Sequence, residues 1–407
     1  MNTPNPALPP QVVRAIDAAK RALVDVEPAG TPQTKNEGTG LILSARTKAS
    51  HKLPAYYLVY FLFVDALRFP RLGQWEKSAW TVPIRYRGRL FGIEHRKMGL
   101  GIFAPNLEPS ARSSGTPTDQ AEQDASAIAD QIKIAVAAAE PYFEWRAQQA
   151  VATSDLNVAN KSEVLFDRYI YFRDSYRRLV KEAIRRQDQR VVDQSSPSAD
   201  VKLTSVFFPS QALLSEARWN AQAAIEAFFS WTEHAFIHLS VLQGKLKTGS
   251  DVARLAAADW KTKFKAALNV AEDQTKLHYD TLLDLRAQVR NFVAHGAFGK
   301  RGEAFSFHTG AGAVPVLLTS EHRHKFSLSG RPPFEERTAI DQIEQFLQFL
   351  WSGPCAPAQH YLSSGLPSIL THAADGTYTN AMRSAAEMES FVNGLIRQVD
   401  RAANMEW

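Results

Sequence analysis

The chain has 407 residues, longer than one hydrophobic core usually grows, so two domains are expected. Hydrophobic residues make up 45% and charged residues 22%, which excludes a wholly disordered chain and a protein built of apolar spans. A net charge of +5 is compatible with a polyanionic partner without requiring one.

The N-terminus lacks a basic region followed by an apolar one, so no secretory signal is expected and a reducing cytoplasm is the simplest address. An amphipathic segment covers about Gln11 to Val26. The longest apolar run, Leu53 to Val64, is shorter than the roughly 20 residues of a spanning helix. The stretch from Pro54 to Arg68 therefore reads as a buried helix, and no membrane partner is expected. From Trp80 to Phe103 the pattern turns to strand chemistry: Val82, Ile84 and Tyr86 alternate with polar neighbours, and Arg87-Gly88-Arg89 reads as a turn. Gly92, Gly99 and Gly101 predict bends or bulges in the strands that follow. Helical spacing returns over Gln120 to Ala150 and Ser162 to Arg186.

Three stretches read as linkers: Glu27 to Gly40, Ala104 to Thr118 and Gln187 to Asp200. The last is the best domain boundary, dividing residues 1–195 from 201–407. Beyond it a long helix is predicted over Gln211 to Leu242, from the recurrence of Leu214, Ala217, Ala221, Ala224, Phe228, Ala235, Leu239 and Leu242. Further helices cover Asp259 to Val270 and Thr275 to His295. Leu282, Leu285, Val289 and Phe292 give the last of these one buried stripe. Short strands follow at Ala304 to His308, Val314 to Leu318 and His324 to Leu328, then helices at Pro333 to Trp351 and Tyr378 to Ala402.

Arg290-Asn291-Phe292-Val293-Ala294-His295 closes the Thr275 helix. An Arg with a His a few residues later is a weak signal by itself. Arg89 with His95 lies on predicted strands, and Arg301 with His308 runs from a loop into a strand. The pair at 290 and 295 differs in three ways: it lies on an amphipathic helix, Asn follows the Arg directly, and Gly296 is a natural C-cap.

This arrangement resembles the HEPN superfamily (higher eukaryotes and prokaryotes nucleotide-binding), over about Phe207 to Gly296 and the later helices. The resemblance implies a metal-independent endoribonuclease that needs no cofactor and acts on RNA as a homodimer. Its catalytic residues would be Arg290, Asn291 and His295. Many members are toxins or antiphage defence effectors, so an antitoxin or other regulatory partner is implied too. Some carry an acidic residue in the neighbouring helix, which would let Glu233 orient Arg290; an ordinary polar position at the bundle edge explains Glu233 more simply.

The residue types suit cleavage of RNA by its own 2′-hydroxyl, which needs proton transfer at two oxygens and positive charge for the phosphate. His295 exchanges protons near neutral pH, in a last helical turn whose dipole favours imidazolium. Arg290 presents a planar fork to phosphate oxygens, and Asn291 can hydrogen-bond phosphate, ribose or the ring of His295. At about 100° per residue, Asn291 and His295 share a face with Asp284 and Gln288, whereas Arg290 lies roughly 140° from His295. A second copy around a two-fold axis would complete the set. Without the family context, the same residues read as a surface ion pair, an ordinary polar residue and a helix cap.

Weaker signals surround this motif. Arg173, Arg177, Lys181 and Arg185 recur every four residues near Tyr169 and Tyr176, a stripe that could follow a phosphate backbone. Pairing of Asp174 with Arg178 and of Glu182 with Arg186 would make it an ordinary solvated face. Lys300 and Arg301 are further RNA-contact candidates, in a loop where surface solubility explains them better. Asp65 with Glu94-His95-Arg96-Lys97 resembles a metal-dependent nuclease core but lacks its acid-x-Lys spacing. His322 and His324 have no third ligand for zinc, so no metal is expected. Cys355, the single cysteine, excludes an internal disulfide and sits in loop composition, where packing is its expected role.

The expected fold is mainly α: a C-terminal HEPN-like helical bundle over 201–407 with a small β-meander insertion, preceded by an α+β region over 1–195 that senses a trigger, positions RNA or contacts a regulator. Two other readings stay open. One is a non-catalytic HEPN module that binds nucleotide or RNA; the other is a dimerisation scaffold in a defence complex. No base-reading code identifies an RNA target.

Overall fold

Pro10 fixes the first turn of α1 (Pro10–Ala22), whose Val12, Ala15 and Ala19 form the buried stripe that spacings of three and four residues produce. The computed structural model describes residues 8–29, 40, 44–74, 77–104, 116–153, 156–198, 201–295, 305–310, 312–318, 326–327 and 335–405; side chains at 193–198, 201–203, 290–295, 305–307, 313–318 and 326–327 lie outside that description. Most of the linkers expected at 27–40 and 104–118 therefore falls outside the described residues. The chain divides into two compact units, Met1–Thr153 with Gly394–Trp407, and Ser154–Asn393.

In the first unit, β1 (Val26–Pro28) and β2 (Ala45–Arg46) precede α2 (Tyr56–Tyr60), which widens into a π-helix over Phe61–Ala66. This is the expected apolar helix. Its π-turn, where the Leu67 N–H donates to Leu62 O at 2.9 Å, leaves no mark in hydropathy. β3 (Ser78–Tyr86), β4 (Arg89–Arg96) and β5 (Gly99–Ala104) form the meander, within an antiparallel sheet ordered β1-β3-β4-β5-β2. Arg87 and Gly88 take φ of 50° and 79°, so the predicted turn is a two-residue loop with both residues left-handed, which matches strand twist. α3 (Asp119–Ala138), capped by Thr118 Oγ1 accepting from the Ala121 N–H, joins Ile128, Ile132 and its alanines to Val82, Ile84, Ile93 and Ile102 in one core. α4 (Glu140–Thr153) follows.

Two glycines play a different part from the one expected. Strand register runs unbroken through Gly92 and Gly101, and the irregularity lies at Ser78/Trp80. Gly92 is required because the Glu94 side chain folds over it: a Cβ there would sit 2.6 Å from Glu94 Oε1. At Gly101 a Cβ would meet Phe103 at 2.8 Å. Both permit close approach rather than a bulge.

The polar side of the meander is buried as well. Thr81 and Glu94, opposite each other across β3 and β4, are each 0% exposed. Arg96 Nε donates to Glu94 Oε2 at 2.7 Å, while Glu94 Oε1 and Thr81 Oγ1 lack a hydrogen-bond partner among the described residues. Burial pushes the Glu94 carboxyl above its usual range, against the opposing pull of Arg96.

The second unit is mainly helical. After β6 (Asn157–Val158), α5 (Ser162–Arg185) packs along α6 (Pro209–Leu242), and between them β7 (Val191–Ser198) pairs antiparallel with β8 (Val201–Phe207). The 187–200 stretch is thus largely a hairpin strand rather than a linker, and the units divide at 153/154. Its serines and glutamines disguise a strand begun by Val191 and Val192. α6 buries its predicted stripe except Leu214, which is 37% exposed.

α7 (Gly249–Ala257) and α8 (Trp260–Ala267) start at side-chain caps from Thr248 and Asp259. α9 (Asp273–His295) precedes a three-stranded antiparallel meander of β9 (Phe305–Thr309), β10 (Gly312–Leu318) and β11 (Phe326–Ser327), as predicted. α10 (Glu336–Ser352), α11 (Ala356–Ser363), β12 (Ser368–Ile369) and α12 (Leu370–Ala374) follow. The single helix expected over 378–402 is two, α13 (Thr377–Ala381) and α14 (Ala385–Asn404). Ser384 breaks it, accepting from the Glu387 N–H at 3.2 Å in a Ser-x-x-Glu cap.

A carboxyl whose pKa is raised by folding contributes stability that is complete below its unfolded pKa and is lost as pH rises through the folded one. Glu94→Gln should therefore melt higher than wild type at pH 7 and no higher at about pH 4. Thermal denaturation followed by circular dichroism reads this; an equal gain at both pH values would dissociate it from the buried charge.

Candidate functional site

α9 is amphipathic as its sequence demands: Leu282, Leu285 and Val289 are buried at 1%, 3% and 5% exposure, and Asp284 on the opposite side is exposed. Positions 290, 291 and 295 occupy its last two turns, with residue 295 its final helical position. The side chains of Arg290, Asn291 and His295 lie outside the described residues, as do Gly296, Lys300 and Arg301 entirely. What the fold defines is the ground on which they stand. Position 290 continues the column of Arg286, one turn earlier; positions 291 and 295 continue the column of Asp284 and Gln288. In that second column Gln288 Nε2 donates to Asp284 Oδ2 at 2.6 Å.

Glu233, from α6, faces the first column. Arg286 Nη2 donates to Glu233 Oε1 at 2.9 Å, and Lys263 Nζ of α8 donates to Glu233 Oε2 at 2.9 Å. The Lys263 side chain is only 7% exposed, so its ammonium depends on that carboxylate. The Arg286 guanidinium lies 5.8 Å over the Trp260 ring. Glu233 therefore ties three helices together, and among the described residues the arginine it holds is Arg286, one turn before position 290.

The basic stripe on α5 is largely neutralised. Arg173 and Arg177 both reach Glu344 of α10, at 3.0 and 2.8 Å, and Arg173 also pairs with Asp174 at 2.8 Å. Arg185 and Arg186 both pair with Glu182. Lys181 is exposed. Arg173 and Arg177 thus act first as struts between α5 and α10, which leaves little of the stripe as a free track for phosphates.

The components of the nuclease-like metal core are engaged elsewhere. Asp65 Oδ2 accepts from the Tyr142 hydroxyl at 2.7 Å and from Arg146 at 3.2 Å. Glu94 is held by Arg96, and His95 stacks on Tyr56 with ring centroids 4.2 Å apart. No cluster of three or more His, Cys, Asp or Glu suited to a metal occurs among the described residues. His322 and His324 lie outside them. Burial raises the Cys355 thiol, which accepts from Gln243 Nε2 at 3.4 Å, in keeping with packing rather than nucleophilic attack. No helix among the described residues is long and apolar enough to cross a membrane.

Hydropathy gave no sign of a histidine pair on α6, His238 buried and His234 half-buried. His238 Nδ1 lies 2.7 Å from Ser368 Oγ, the contact of a nucleophile with its base, but both residues are 0% exposed, so no substrate reaches them. His234 packs 4.4 Å from the His238 ring and accepts the Lys161 N–H on Nε2 at 2.9 Å, which places a neutral ring's proton on Nδ1. Burial, with His234 adding to it, pulls His238 down to about 3.

In comparisons with protein families, curated proteins and solved structures, none matched this chain.

Two outcomes are expected. Removing the Glu233 carboxylate strands the Lys263 ammonium, so Glu233→Ala should lose about 2 kcal/mol of unfolding free energy, and adding Lys263→Met should recover at least half of it. Urea denaturation measures both, and a double variant no better than the single one refutes the strut. A histidine with a depressed folded pKa contributes stability that is complete above its unfolded value of 6.5 and is lost as pH falls toward about 3. Stability should thus drop by roughly 3 kcal/mol between pH 6.5 and about pH 4.5 through His238 alone, and His238→Gln should flatten that limb.

Proposed function

We propose that this protein is a metal-independent endoribonuclease of the HEPN type, with its catalytic residues in the last two turns of α9. One observation carries the reading: Arg290-Asn291-x-x-x-His295 closes a helix that is buried along one stripe in a mainly helical unit, with positions 291 and 295 continuing an accessible polar column. His295 takes the proton of the ribose 2′-hydroxyl or delivers one to the departing 5′-oxygen. The new bond joins O2′ to phosphorus and the bond to O5′ breaks, leaving a 2′,3′-cyclic phosphate and a 5′-hydroxyl. Arg290 holds the charge that builds on the phosphate oxygens, and Asn291 orients phosphate, ribose or imidazole.

The two columns do not converge on one helix, so the same helix of a second copy completes the site in a homodimer. The pairing of Glu233 with Arg286 supports a rigid base for position 290, one turn later. Lys300, Arg301 and Lys181 are the remaining cations proposed to touch RNA. Such an enzyme needs restraint inside its own cell, which fits a cytoplasmic toxin or antiphage effector held by an antitoxin or by an inactive resting geometry.

Purified wild type should cut total cellular RNA in EDTA, leaving 2′,3′-cyclic phosphate ends, and His295→Ala should lose at least about 100-fold of that activity. Equal cleavage by the variant would place the active site elsewhere. RNA binding without turnover by wild type would favour the non-catalytic module.

A further inference from the structure

The first unit holds a cleft of about 530 Å³, walled by the last turn of α1, the start of β1 and the segment that follows the π-helix. Lys20, Arg21 and Arg68 line it against one acid, Glu27, an excess of two positive charges among the described lining residues. Lys20 and Arg21 are exposed and form no ion pair among the described residues. Arg68 reaches Asp65 Oδ1 only at 3.7 Å, and the other oxygen of that carboxylate is held by Tyr142 and Arg146. Beneath the cations the floor is apolar: Leu23 and Val26 are each 5% exposed, with Leu67 and Phe69 beside them.

Solvation at a helix end accounts for part of this. Lys20 and Arg21 stand in the last turn of α1, where cations favour its free carbonyls. That reason does not extend to Arg68, whose φ of 59° is a left-handed conformation disfavoured for any residue with a Cβ. The π-helix forces the turn, since the Leu67 and Phe69 N–H groups donate back to Leu62 O and Phe63 O. Glycine would suit the backbone better there. An arginine instead brings a guanidinium to the cleft.

We propose that this cleft binds a small organic phosphate monoester, with the phosphate among Lys20, Arg21 and Arg68 and an apolar or planar body on Leu23, Val26 and Phe69. A phosphate monoester carries about two negative charges at pH 7, matching the excess, and a carboxylate would leave one cation unmatched. The planar fork of arginine suits its oxygens. Clefts of roughly 300–1,000 Å³ are the usual size for such ligands. The site is independent of the ribonuclease reading, because its readout is binding alone.

The test is a fluorescence titration of the full chain with 2-naphthyl phosphate, beside inorganic phosphate, 2-naphthol and 2-naphthoate. The ester should bind with Kd on the order of 50 µM and each of the other three at least about tenfold more weakly. Arg68→Gly keeps the left-handed turn without strain, so it should weaken the ester about tenfold while its melting temperature does not fall. Lys20→Gln with Arg21→Gln, at exposed positions, should weaken it at least as much. Equal affinity for naphthol or naphthoate, unchanged affinity in both variants, or no binding of the ester at about 1 mM would each overturn the assignment.

Discussion

A 34-residue helix, buried on most of its circumference from Ala221 onward, sets the geometry of the second unit. α6 presents Phe228, Trp231 and Phe236 to three neighbours: Phe166 and Tyr169 of α5, Trp260 and Phe264 of α8, and Phe346 of α10. Buried aromatic rings of this size each contribute several kcal/mol by area alone, so this cluster outweighs any single polar contact in the unit. Both of its indoles are satisfied too, Trp231 Nε1 by Ser162 Oγ at 2.8 Å and Trp260 Nε1 by Thr232 Oγ1 at 3.0 Å. Without those acceptors the indoles would bury unpaired N–H groups, and the cluster would lose part of its gain.

The bearing of α9 follows from that cluster. Tyr279 lies nearly parallel to Trp260, 12° between planes, and Arg286 covers the same indole two turns later. With Glu233 gripping Arg286 and Lys263, the rotation of α9 about its own axis is fixed well before its last turns. The column of Arg286 is therefore aimed toward α6 and α8, and the column of Asp284 and Gln288 away from them. That divergence is the physical basis for invoking a second copy, since a catalytic set has to converge on one phosphate.

Much of this was legible from spacing. The stripe of α9, the long α6, the meander after Trp80 and the three short strands after residue 304 all follow from periods of 3.6 and 2. What escaped was written in single polar residues. Ser384 ends one helix and starts another, a Ser-x-x-Glu signal masked by the apolar periodicity on either side. Gly92 was read as a bulge because its real cause, a glutamate two residues on folding back over it, is a matter of rotamer rather than pattern. The hairpin at 191–207 escaped because serine and glutamine dominate a strand whose valines are only its first two residues. At the motif itself, sequence reached further than the fold does: residue types and spacing single out Arg290, Asn291 and His295, and the structure adds their columns and their footing.

Both units bury an ionisable group in a form that water would not favour, and they do so with opposite sign. Glu94 lies where burial favours the protonated acid, so the first unit gains as pH falls. His238 lies where burial favours the neutral base, so the second unit loses as pH falls. Each group is kept by what surrounds it: Arg96 holds one oxygen of Glu94, and Ser368 holds one nitrogen of His238. Replacing either partner by a residue that cannot hydrogen-bond would leave a buried polar atom unpaired. Through these two groups the units respond to pH with opposite sign: the Glu94 contribution is complete at low pH and the His238 contribution above the ordinary histidine range.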